Sequence, residues 1–114
     1  MIKITEIDHS LEHVVFEGVD KFNALIADEA REQLNKLFDI PNAKVILDLT
    51  GITYIDSSGF GCFLTTMKSA RNNYGTLKVC SLESGVKTLF QTLQLHTIFD
   101  IYDDLDSCIE SFKH

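Results

Sequence analysis

The residues of this chain best placed for chemistry are Asp56-Ser57-Ser58-Gly59. They follow an apolar run, Val45-Ile46-Leu47-Asp48-Leu49, and precede Phe63, Leu64, Met67, Ala70 and Tyr74 at helical spacing. The serines therefore stand at a strand-to-helix junction. A hydroxyl at a helix start lies among unpaired backbone N–H groups, on the positive end of the helix dipole. Such a hydroxyl can cap the helix, or it can carry a phosphate that the same N–H groups stabilise. Capping needs one serine, and two adjacent serines leave one hydroxyl free. Gly59 has no side chain to shield the junction, so another protein could approach the backbone there. Residue types alone leave capping and modification both open.

Other chemistries fit less well. Gly59-Phe60-Gly61 opens a helix after a strand, as in dinucleotide-binding units, but Leu64 stands where a third glycine is needed. No glycine-lysine-serine/threonine triplet forms a P-loop. A hydrolase nucleophile needs a glycine upstream and a histidine base; Ser57 and Ser58 lack the first, and only His96 offers the second. A phosphoaspartate receiver needs a carboxylate pair after the first strand and a lysine near the last. Here Asp8-His9 follows the first strand and the last has no lysine, so a magnesium site would rest on one carboxylate. No catalytic residue is assigned, and the chain is expected not to be an enzyme.

Metal and cofactor sites are not expected either. His9 and His13 are four apart in a strand-turn-strand, where that spacing does not converge, and His96 and His114 stand alone. Cys62, Cys80 and Cys108 are odd in number, far apart and without a C-x-x-C pair, which reads as structural thiols in a reducing compartment.

These residues need a scaffold, and 114 residues supply one domain, 1–114, with a single core. The apolar share of 45% is that of a globular protein. A net charge of −7 without Lys/Arg clusters argues against nucleic acid. The N-terminus has no signal-like apolar block and no run is long enough to insert in a membrane, so a cytoplasmic location is expected.

Residues 2–8 and 11–17 read as a β-hairpin turning at Asp8-His9-Ser10. Ile26, Ala30, Leu34, Leu37 and Phe38 mark an amphipathic helix over 24–39, capped by Asn23 and ended by Pro41. The 45–49 run suits a strand covered on both faces. The helix after the serines should stop at Gly75. A strand at 76–80, a helix capped by Ser84, a strand at 98–102 and a helix opened by Asp103 or Asp104 complete the chain. The order β-β-α-β-α-β-α-β-α predicts an α/β fold. Its sheet is mixed but mostly parallel, with an N-terminal antiparallel hairpin and four helices.

Asp56-Ser57-Ser58-Gly59-Phe60-Gly61, with the preceding Asp48-Leu49-Thr50-Gly51-Ile52-Thr53-Tyr54-Ile55, resembles the anti-sigma factor antagonists of the STAS-domain family. The resemblance covers almost the whole chain and includes the element order. Asp20-Lys21-Phe22-Asn23-Ala24 is similar to the family's loop before the first helix. Here Gly18 lies two residues before Asp20 rather than three, and Asn23 replaces a Ser/Thr.

The resemblance implies partner switching. The unmodified protein binds an anti-sigma factor or related serine kinase. Phosphorylation of Ser57, with Ser58 as the alternative, releases that partner, and a serine phosphatase resets the switch. It also implies partner contacts at Asp20, Asn23, Asp56, Ser58, Gly59 and Phe60, although Phe60 equally suits a core position. ATP and Mg²⁺ would belong to the kinase. The alternative is a constitutive STAS-type scaffold or transport-complex subunit, in which Ser57 is only a cap.

Overall fold

A computed structural model describes residues 1–8 and 11–113. Five strands form the main sheet: β1 (Ile2–Asp8), β2 (Leu11–Phe16), β4 (Lys44–Asp48), β6 (Thr76–Cys80) and β7 (Asp100–Tyr102), adjacent in that order. β1 pairs antiparallel with β2, and every later pairing is parallel. The hairpin and the mostly parallel sheet are those expected. The turn residues His9 and Ser10 lie outside the described residues.

β4 is the central strand, and Val45, Ile46 and Leu47 are at most 1% exposed. Alternate side chains explain this. Val45 and Leu47 join the large core under α1 (Ala24–Lys36), α2 (Ser57–Asn72) and α3 (Ser84–Thr92). Ile46 faces the other way and joins Leu11, Cys80 and Cys108 beneath α4 (Leu105–Ser111). The continuous apolar run is thus the signature of a strand with two covered faces.

Several boundaries differ from the sequence reading. α1 stops at Lys36, before Pro41, and the chain turns through Phe38 to Asn42, whose φ is 63°. Gly75 does not take the left-handed position after α2; Tyr74 does, at φ 58°. The Gly75 N–H then bonds the Ala70 carbonyl at 2.7 Å and the Tyr74 N–H bonds Arg71, a Schellman closure. Gly75 is required for space instead, because a Cβ there would lie 2.6 Å from the Phe38 ring. The α3 cap position is Glu83, not Ser84, and its side chain makes no capping bond. Asp104 caps α4, accepting the Ser107 N–H at 2.7 Å. A 3-10 turn at Leu95–Thr97 shortens the last strand.

Two strands of two residues each, β3 (Lys21–Phe22) and β5 (Tyr54–Ile55), form a second small parallel sheet. They are too short to register as a hydrophobic period, and they position the site.

Candidate functional site

β3 and β5 pair Lys21 with Tyr54 and Phe22 with Ile55. The next residue of each chain segment is a helix cap. Asn23 accepts the Ile26 N–H at 3.3 Å and starts α1; Asp56 accepts the Gly59 N–H at 3.0 Å and starts α2. The parallel pairing therefore sets two helix N-termini side by side, and α1 and α2 pack along each other. Their positive dipole ends open at one edge of the molecule.

Asp56, not either serine, is the cap of α2. That overturns the reading in which Ser57 or Ser58 caps the helix. Ser57 occupies the first helical position and is exposed; Ser58 follows and is half-buried. Among the described residues neither serine hydroxyl has a hydrogen-bond partner. Their backbone N–H groups likewise precede the first helical bond, which runs from Phe60 N–H to the Asp56 carbonyl.

Gly59 and Phe60 turn inward, which corrects their assignment to an outer partner surface. A Cβ on Gly59 would lie 2.7 Å from Ile55 Cγ2 and 2.8 Å from the Phe22 carbonyl oxygen. The glycine lets α2 rest on the small sheet. Phe60 is 7% exposed and meets the Phe90 ring edge-on, with centroids 5.5 Å apart. Outward at helical spacing from Ser57 lie Gly61, where an added Cβ meets nothing within 4 Å, and Leu64, 39% exposed. Sequence reasoning assigned neither to the site. The signal was present as the i, i+4, i+7 spacing from Ser57, but Leu64 also fits the core stripe of α2.

Asp20 is exposed, and its carbonyl accepts the Thr53 N–H at 2.7 Å and the Thr53 hydroxyl at 3.1 Å. The loop before α1 thus packs on the loop before α2. Asn23 is exposed beside it. An open cleft of about 570 Å³ adjoins this loop, lined by Val15, Glu17, Asp20, Asp48 and Thr50 among others. Among the described residues its lining carries three carboxylates, Glu17, Asp20 and Asp48, and no cation, which disfavours a phosphate ligand there.

Asp48 is buried at the end of β4. Its Oδ1 accepts the Thr50 N–H at 3.0 Å and the Thr50 hydroxyl at 2.6 Å, and its Oδ2 lies 2.8 Å from His13 Nε2. Burial raises the Asp48 pKa, but the hydrogen bonds from Thr50 and His13 together outweigh it and hold the carboxyl below its ordinary value. The sequence hid this pair because 35 residues separate its members. Among the described residues no group of three or more His, Cys, Asp or Glu side chains could hold a metal ion.

The STAS domain model matches residues 4–108. BtrV of Bordetella bronchiseptica, provisionally named an anti-sigma factor antagonist, is 28% identical over 91 residues, 80% of this chain and 78% of its own. The anti-sigma-B factor antagonist of Listeria monocytogenes is 29% identical over 101 residues, 88% of this chain and 86% of its own. The fold matches the anti-sigma factor antagonist SpoIIAA in its unphosphorylated form, with a TM-score of 0.81, 14% identity and coverage of 99% and 96%. It also matches SpoIIAA of Bacillus in the phosphorylated form, with a TM-score of 0.74, 13% identity and full coverage of both chains. With the motif, the fold and the family model in agreement, the chain belongs to the STAS-domain family.

Proposed function

We propose that this protein is an anti-sigma factor antagonist working as a phosphorylation-controlled switch in the bacterial cytoplasm. Unmodified, it binds an anti-sigma factor that is also, or is allied to, a serine kinase. Phosphorylation of Ser57 releases that partner, and a serine phosphatase restores binding. The names of the relatives support the class of activity. The observation that carries the switch is the exposed Ser57 hydroxyl at the first position of α2, with Asp56 already supplying the cap. The serine is free of a structural task.

The electrostatics fit release. A phosphate adds about −1.5 to −2 charges. Within the domain the Ser57 and Ser58 N–H groups and two adjacent helix ends accommodate it. A docked partner meets that charge beside Asp56 and close to Asp20, and must give up water to do so. The contact surface runs from Asp20 and Asn23 across Asp56 and Ser58 to Gly61 and Leu64. Gly59 and Phe60 act beneath it by fixing the start of α2.

The test is to phosphorylate the protein with its cognate kinase and Mg·ATP, map the phosphopeptide, and titrate both forms against the partner. A phosphate on Ser57 with weakened binding is expected. Equal binding by both forms would leave a constitutive scaffold as the better reading.

A further inference from the structure

Cys80 closes β6 and Cys108 lies midway along α4. Both are fully buried in the small cluster between sheet and helix, with Leu11 and Ile46, and their thiols hydrogen-bond to one another. Cys62 belongs to the core on the opposite face of the sheet. The 7-residue α4 carries Cys108 and packs it over the sheet beside Cys80. It is latched through Lys78, whose Nζ lies 2.9 Å from Ser111 Oγ and 4.4 Å from the Phe112 ring centroid. A short helix held by a few contacts opens locally without unfolding the sheet.

We propose that Cys80 and Cys108 form a redox pair that low-molecular-weight disulfides, of the glutathione class, convert to an intramolecular disulfide clamping α4 onto β6. When α4 opens, the Cys80 thiolate attacks one sulfur of the oxidant and expels one glutathione thiol. Cys108, as thiolate, then attacks the mixed disulfide at the Cys80 sulfur and expels the second. The two protein thiols lose two electrons and two protons, and the oxidant's S–S bond becomes two thiols.

The assignment of the attacking sulfur follows from the pair's geometry. The hydrogen bond with Cys108 lowers the Cys80 pKa, against burial and against Asp48, its register neighbour on β4. The same hydrogen bond, with burial added, pushes the Cys108 pKa up. Those shifts belong to the closed pair; once α4 lifts Cys108 away, Cys80 stays uncovered at the end of β6 and is the sulfur that the oxidant meets.

The test uses the full chain in native buffer with excess oxidised glutathione, followed by alkylation, digestion and mass spectrometry. A Cys80–Cys108 peptide is expected, with Cys62 alkylated only after denaturation. The oxidised protein should melt at least about 5 °C higher, because the bond restrains the unfolded chain, and reduction should reverse the shift. Cys62→Ser should keep the response; Cys80→Ser and Cys108→Ser should lose it. If the serine variants fail to fold, the wild-type peptide map decides alone. No reaction, a glutathione retained on one cysteine, or a bond formed only in denaturant would overturn the pair. A Cys80–Cys108 bond that lowers the melting temperature would overturn the clamp.

Discussion

Gly59 and Gly61 stand two residues apart on α2, yet a methyl group on Gly59 would strike Ile55 and Phe22, while one on Gly61 would meet open space. The two positions should therefore respond oppositely to alanine. Gly59→Ala forces α2 off the small sheet and should cost about 1–3 kcal/mol of stability by overpacking. Gly61→Ala removes a flexible residue from a helix interior and should stabilise by up to about 1 kcal/mol. On the proposed function its methyl also projects from the partner face, so binding should weaken while stability rises. Denaturant melts and calorimetric titration of both variants separate these effects. A Gly61→Ala protein that binds its partner like wild type places the docking surface elsewhere.

Ser57 is expected to be the phosphoacceptor, because it is the more exposed serine of the pair. Incubation with the cognate kinase should label wild type and Ser58→Ala but not Ser57→Ala. Ser57→Ala should still bind the partner, since it removes only a hydroxyl that makes no internal bond among the described residues. Labelling that survives in Ser57→Ala and disappears in Ser58→Ala moves the site by one residue.

Phosphorylation should loosen the complex without loosening the fold. A dianion at a helix N-terminus is favoured by roughly 0.3–1 kcal/mol when exposed, and Asp56 opposes it by a similar order. The melting temperature should therefore move by no more than about 4 °C. At the interface the same charge lacks compensation, and each tenfold loss of affinity corresponds to about 1.4 kcal/mol. A loss of at least about tenfold is expected. Phosphoprotein that melts far below the unmodified form would show that the switch works by unfolding instead.

The sequence made the strand-helix alternation legible because each long element carries its own period. The central strand showed itself as an uninterrupted apolar run, and α1 by the spacing of Ala30 and Leu34. The site was legible as a motif but not as a surface. Nothing local distinguishes Phe60, which turns inward to Phe90, from Leu64, which turns outward; the difference depends on where α3 packs. The cap was misplaced for a related reason. Asp56, Ser57 and Ser58 are all good capping types, and the pairing of Ile55 with Phe22 decides which residue leaves the strand first. The contacts His13–Asp48, between neighbouring strands, and Cys80–Cys108, between the sheet and α4, are long-range products of the fold and carry no sequence period.

The His13–Asp48 contact gives a prediction in pH. Asp48 is held below its ordinary carboxyl value of 3.8 in the folded protein, where three hydrogen bonds outweigh burial. A group with a depressed folded pKa stabilises the fold fully above its unfolded value, and that stability is lost as the pH falls through the folded value. Asp48→Asn keeps the shape but removes the charge, and should cost roughly 1–3 kcal/mol at neutral pH, as expected for a buried hydrogen-bonded carboxylate. The difference between wild type and Asp48→Asn should shrink as the pH falls below 3.8, because only the wild-type residue gains a proton there. Urea melts of both proteins at a series of pH values measure that difference directly. A gap that stays constant through the acid range would mean that Asp48 remains ionised throughout, or that its hydrogen bonds to Thr50 do not favour the charged form.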